Sequence, residues 1–174
     1  MIDVSVSYNR YKFLGYEFLT WLWFLMENDR DLLRKTDPEM TALDVGNRIL
    51  LENTIHDAVE SITIKGDEAG LEEGILALKK GAVVTEINLV YKSGGQEWRF
   101  TLKGESFHLG NLKVPESGVV ETKEDIEGAV LEKYYLYDKI FRLIDGLYTY
   151  FLKLRISAKW QDEVIPKMRR WIAG

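Results

Sequence analysis

The sequence predicts an α+β fold: an antiparallel sheet with a buried N-terminal helix, one short helix, and a long C-terminal helix followed by a shorter one. Three observations predict it. Residues 13–26 are apolar except for Gly15, Glu17 and Thr20, so a helix there is hydrophobic on every side and must be enclosed. Residues 83–103 alternate apolar and polar in two runs around Ser93-Gly94-Gly95, the mark of a β-hairpin. From Ile126 to Phe151 apolar residues recur in steps of three and four, which is helical periodicity held over about 40 Å at 1.5 Å per residue.

In chain order, Ile2, Val4, Val6 and Tyr8 alternate with Asp3, Ser5 and Ser7 and predict a first strand. The apolar helix follows. It is shorter than the about 20 apolar residues a bilayer crossing needs and is flanked by Arg10, Lys12, Glu27, Asp29 and Arg30, so a core helix is expected and no membrane span. Asp37-Pro38-Glu39 reads as a cap with proline behind it, opening a short helix or a turn. Residues 47–53 and 59–65 read as strands. Leu71, Ile75 and Leu78 then predict a short amphipathic helix ended by Gly81.

In the hairpin, Val83, Ile87, Leu89 and Tyr91 are assigned to one face, answered by Trp98, Phe100 and Leu102 on the returning strand. A third antiparallel strand is expected over residues 106–109, with Leu112 and Val114 continuing towards Pro115. Thr122, followed by Lys123-Glu124-Asp125, caps the long helix. Its length exceeds the usual helix of a small domain, so it is expected to meet a second subunit through Tyr134, Tyr137, Phe141, Tyr148 and Phe151. Ser157 is expected to cap a final helix with Trp160, Val164, Met168 and Trp171 on one side, bent or interrupted at Pro166. No repeat or long linker divides the chain, so one domain over residues 1–174 is the expectation.

At 174 residues the chain can bury roughly 70% of its unfolded surface without staples. It has no cysteine, which excludes disulfides, thiolate metal sites and thiol nucleophiles and suits a cytoplasmic protein. Its beginning has no basic segment leading into an apolar run, so no signal peptide is expected. The net charge of −5 is unevenly spread: residues 151–174 hold six basic residues against Asp162 and Glu163, net +4, leaving −9 for the rest. A basic tail on an acidic body suits either a solvated helix face or contact with phosphates or an acidic partner.

Catalytic patterns are scarce. His56 and His108 stand at no metal-ligand spacing, and no nucleophile elbow, phosphate loop or dinucleotide fingerprint occurs, so no enzyme, metal or cofactor is expected. Glu116 with Glu121 and Lys123 resembles the paired carboxylates and lysine of a metal-dependent nuclease. The two glutamates, five residues apart, are too close for the usual two-strand scaffold, so Mg²⁺ cleavage stands third among the readings. Trp98 and the helix tyrosines Tyr134, Tyr135, Tyr137, Tyr148 and Tyr150 offer rings on which bases can stack. Arg99 and Lys103 alternate with Glu86 and Glu97 on the other hairpin face, a solvated sheet face before it is a phosphate-binding one.

The run Phe13-Leu14-Gly15-x-Glu17-Phe18-Leu19-Thr20-Trp21-Leu22-Trp23 resembles a segment of the recombination-associated RdgC family. So does Lys80-Gly81-Ala82-Val83-Val84-Thr85 through Trp98-Arg99-Phe100-Thr101-Leu102. The likeness spans residues 10–115, is weaker over residues 160–171, and concerns mainly the latter part of longer family members. It implies an α+β subunit of a ring-shaped, nucleoid-associated homodimer. Such a ring encircles duplex DNA without sequence preference and restrains a recombination partner. The motifs are structural, and the family offers no site to carry over residue by residue. The basic residues put forward for DNA contact are Lys79, Lys80, Arg99 and Lys103, then Lys167, Arg169 and Arg170. The alternative is a protein-interaction module that oligomerises through the long helix and touches no nucleic acid.

Overall fold

The computed structural model describes residues 4–55, 58–118 and 122–174, and of residues 4–12, 55, 123 and 124 only the backbone. The expected α+β architecture is present. A five-stranded antiparallel sheet has the order β2-β1-β3-β4-β5, formed by β1 (Met40–Ile55), β2 (Ala58–Lys65), β3 (Val83–Ser93), β4 (Gln96–Lys103) and β5 (Leu109–Lys113). The helices are α1 (Val4–Asn28), α2 (Arg30–Arg34), α3 (Glu68–Lys79), α4 (Lys123–Arg155) and α5 (Ile165–Ala173), the last preceded by a π-helical turn, Trp160–Val164.

The apolar passage lies in α1 and is enclosed as its composition demands: Phe18, Leu19, Trp21, Leu22, Trp23, Phe24, Leu25 and Met26 are all buried. At about 1.5–3 kcal/mol for each large apolar side chain withdrawn from water, this helix anchors the core. It lies over β3, with α4 reaching it through Phe18–Tyr148 and Trp21–Phe151 ring contacts and α5 through Trp23–Trp171. Its three polar exceptions each have a structural reason. A Cβ on Gly15 would lie 1.7 Å from the Gly104 carbonyl oxygen, so α1 can press against the turn after β4 only as glycine. Thr20 Oγ1 donates to the Tyr16 carbonyl at 2.9 Å, and Glu17 accepts from Arg155 Nε at 2.8 Å. Trp23 Nε1 is buried and has no hydrogen-bond partner among the described residues.

Two strand expectations give way to helix or to irregular register. Residues 4–8, expected as strand, open α1 instead; Ile2 lies outside the described residues. With no glycine or proline from Val4 to Phe13, the alternating residues 4–8 continue the helix, whose hydrogen bonds are local, whereas a strand would need a sheet edge. Strand β1 starts at Met40, seven residues before the expected 47, because bulges at 40/42 and 45/49 break its period. In the second of these, Asn88 Oδ1 accepts from Asn47 N at 3.0 Å.

The hairpin is as expected, with Ile87↔Leu102, Leu89↔Phe100 and Tyr91↔Trp98 paired on the buried face and Gly94 and Gly95 both at positive φ in the turn. Val83 does not join that face. It is 40% exposed while Val84 is buried, because the β1–β3 register shifts between Leu50↔Glu86 and Leu51↔Val84. The fifth strand runs later than expected, from Leu109 instead of residue 106, since Phe107 takes a left-handed conformation (φ 54°) and donates its N–H to the Lys103 carbonyl. Asp37-Pro38-Glu39 forms the turn option: Asp37 Oδ1 accepts from Glu39 N, and Met40 N donates to the Asp37 carbonyl.

Candidate functional site

Helix α4 begins as its sequence dictates, with a capping box in which Thr122 and Asp125 satisfy each other's backbone N–H groups. Beyond the cap it divides in two. Leu136, Ile140, Leu143, Ile144, Leu147 and Phe151 are buried, whereas none of residues 125–135 is. In that first stretch Ile126 is 50% exposed, Val130 60%, Leu131 66% and Tyr134 70%, and beyond it Tyr137 and Phe141 remain 41% and 56% exposed. At 3.6 residues per turn, Ile126, Val130, Tyr134, Tyr137 and Phe141 form one stripe, and Ile144 and Tyr148 prolong it. The stripe is therefore covered at one end, where Phe18 and Phe107 meet Tyr148, and bare at the other.

The five residues expected at an oligomer interface thus separate. Tyr134, Tyr137 and Phe141 lie on the bare length. Phe151 is wholly buried against Phe18, Trp21 and Trp160 of its own chain, and Tyr148 is half-buried, with burial raising its hydroxyl pKa. Periodicity gives all five one face; the neighbour covering each end is a property of the packed chain.

The two halves meet over a polar cluster. Trp98, considered above as a base-stacking ring, is fully buried and donates Nε1–H to the Leu136 carbonyl at 2.9 Å, so it is not available to a base. Lys139 Nζ lies 5.6 Å from the centroid of that indole and 3.2 Å from Glu39 Oε2. Beside it Asp37 accepts hydrogen bonds from Tyr91 and, at 2.6 Å, from Ser93 Oγ. Burial raises the Asp37 pKa, but the bonds from Ser93, Tyr91 and Glu39 N and the charge of Lys139 outweigh it, so the carboxyl sits below its ordinary range. Burial, and then the Asp37 bond, push the Tyr91 hydroxyl well above its ordinary value. A cavity of about 470 Å³ lies here between the Asp37 turn and Tyr135, Asp138 and Arg142 of α4. Sequence reasoning missed this cluster because Asp37, Tyr91 and Ser93 are joined only by the sheet.

The basic residues fall into two groups. On the open face of the sheet Arg99 pairs with Glu97, which Lys92 also contacts, and Lys103 and Arg48 share Glu86. Arg99, and after it Lys92, holds the Glu97 carboxyl below its ordinary range. This is the mixed, solvated face the sequence predicts. Elsewhere, Lys79 Nζ donates to the Ala173 carbonyl at 2.8 Å, which joins the end of α3, with exposed Lys80, to the end of α5. Lys167, Arg169 and Arg170 are exposed on α5. Ser157 accepts from Trp160 N through its carbonyl at 3.2 Å, while its Oγ, expected as the cap, donates back to the Leu154 carbonyl at 2.7 Å. Pro166 stands in the first turn of α5, directly after the π-helical turn that interrupts the α-helical ladder, where its missing N–H ends the π-type bonding carried by Ile165 N to the Trp160 carbonyl.

Of the nuclease residues, Glu116 is exposed after β5, Glu121 lies outside the described residues, and of Lys123 only the backbone is described. Among the described residues no three His, Cys, Asp or Glu side chains gather as a metal-holding group. His108 is exposed and His56 lies outside the described residues. No described helix is long and apolar enough to cross a membrane. No protein-family model matches the chain, and no curated protein matches it closely enough to count as a relative.

Proposed function

We propose that this chain is a non-enzymatic interaction module that forms a homodimer through the bare half of α4. The observation that carries the proposal is the stripe of Ile126, Val130, Tyr134, Tyr137 and Phe141, exposed while its continuation is buried. Aromatic side chains bury about 150–250 Å² each, so Tyr134, Tyr137 and Phe141 alone supply a few hundred Å², the size at which an exposed apolar patch marks an interaction site.

The stripe is self-complementary. Its β-branched residues lie towards the helix start and its rings beyond them, so an antiparallel second copy sets Ile126 opposite Phe141, Val130 opposite Tyr137, and Tyr134 on the two-fold axis. A parallel copy would stack rings on rings and leave the narrow end under-packed. The antiparallel arrangement also sets Glu127 opposite Ile140, about half a turn from Arg142, so opposite charges approach along one flank. Multi-angle light scattering at tens of micromolar should give twice the 20.2 kDa chain mass. Phe141→Glu with Tyr134→Glu should give the single mass. A parent that stays at 20.2 kDa throughout sinks the proposal.

A second reading is an RdgC-like accessory role on duplex DNA, supported by the Lys79–Ala173 bond, which ties the end of α3, with Lys79 and Lys80, to the end of α5, the helix that carries Lys167, Arg169 and Arg170. Retention of an arbitrary-sequence duplex in a gel shift at low salt, lost steeply as salt rises, is its expected outcome. No retention at low salt eliminates it.

A further inference from the structure

A second concavity lies away from the bare half of α4, where the end of α1, α2, the end of α4 and α5 converge around about 540 Å³. Its floor is apolar and largely aromatic. Trp21, Phe24 and Leu25 are buried beneath it; Tyr150 stacks on Trp21 (6.1 Å, 21°), and Trp171 stands edge-on to Phe24 (5.6 Å, 62°). Its rim is cationic: Lys159, Lys167 and Arg170 all line it.

The polar groups on the rim divide into occupied and free. Asn28 donates to the Phe24 carbonyl, and Asp29 accepts from Leu32 N as the cap of α2. Glu163 is four residues from both Lys159 and Lys167, the spacing at which an α-helix forms ion pairs. Yet among the described residues neither lysine is within ion-pair distance of it or of any other carboxylate. Arg170 spends only Nε, on the Pro166 carbonyl. Three cations, two of them unengaged, thus stand over an aromatic floor with one free carboxylate between them.

We propose that this groove binds an amphipathic organic anion, its apolar body on Trp21, Phe24 and Trp171 and its carboxylate, sulfonate or phosphate head between Lys159, Lys167 and Arg170. The volume is that of a small-molecule pocket, and the combination of apolar lining with a few convergent charges is what orients such a ligand. Charge complementarity favours the anion over a neutral apolar compound, and the enclosed rings favour a compact body over a polyanion that can reach only the rim.

Titration of the full chain with anilinonaphthalenesulfonate tests this, read by dye fluorescence and by tryptophan quenching. One saturable site per chain is expected, displaced by decanoate and not by decanol at equal concentration. Lys159→Glu with Lys167→Glu should weaken the dye at least about ten-fold, a loss of about 1.4 kcal/mol, with an unchanged thermal midpoint. Glu163→Gln should tighten it, which keeps the test decisive if the charge-reversed pair fails to fold. Unsaturable binding, equal displacement by decanol, a dye affinity unmoved by Glu163→Gln, or displacement by a short DNA duplex as effective as by decanoate each overturns the proposal.

Discussion

Residues 125–135 and 136–155 belong to one unbroken helix of similar apolar content, yet the first stretch contributes no buried side chain and the second contributes six. The first is held by its own capping box and backbone hydrogen bonds; the second is held by the core, through rings from α1, the Trp98 indole and Lys139. A helix can therefore carry the same pattern through two roles. In one half the pattern stabilises the monomer, and in the other it stays available to a partner.

The largest expected effect lies in the covered half. Phe151→Ala should cost about 3–5 kcal/mol in chemical denaturation, as removal of a fully enclosed ring leaves a cavity among Phe18, Trp21 and Trp160. A loss under about 1 kcal/mol would mean that this half is no better packed than the other. Next comes the junction. Asp37→Ala strands the hydroxyls of buried Tyr91 and Ser93, at about 1–3 kcal/mol for each donor left without an acceptor. The pH dependence has a definite sign. The Asp37 carboxyl is depressed in the folded chain, so its contribution is complete above the ordinary aspartate range near about 4 and is lost as pH falls through the folded value. The gap between parent and variant stabilities, measured from pH 7 downward, should therefore narrow below about pH 4.

In the bare half the effects should shrink and change in kind. Tyr134→Ser should leave the unfolding free energy of the dilute monomer within about 0.5 kcal/mol, since exposed positions away from special contacts rarely exceed that. It should also remove the concentration dependence of the thermal midpoint that a dimer confers. A large loss in dilute monomer would erase the contrast between the halves. Of similar size, Arg142→Ala breaks an exposed i,i+4 pair with Asp138 and should cost only about 0.3–0.5 kcal/mol.

Much of the fold was legible from residues alone, for physical reasons that differ by element. The residue 13–26 passage could only be enclosed, the Ser93-Gly94-Gly95 turn could only reverse the chain, and Thr122 with Asp125 could only open a helix. What stayed illegible depended on neighbours. The start of β1 is hidden by bulges, Val83 is turned outward by a register shift in a strand paired with it from over thirty residues away, and residues 4–8 alternate like a strand but continue a helix. The candidate sites follow the same division. Tyr134, Tyr137 and Phe141 could be named as one stripe from their spacing, but spacing could not separate them from Tyr148 and Phe151. Lys159 and Glu163 were visible as charges in a basic tail, while their failure to pair was not.

By itself the amino-acid order determined the apolar central helix, the hairpin, the capped long helix and the polarity of each face, because these depend on propensity and periodicity between residues close in sequence. Only the folded chain decided which length of the long helix is covered, which charges cancel across the sheet, and which cations are left standing over aromatic rings. Those outcomes depend on side chains tens of residues apart, and burial and Coulomb energy are properties of distance in space.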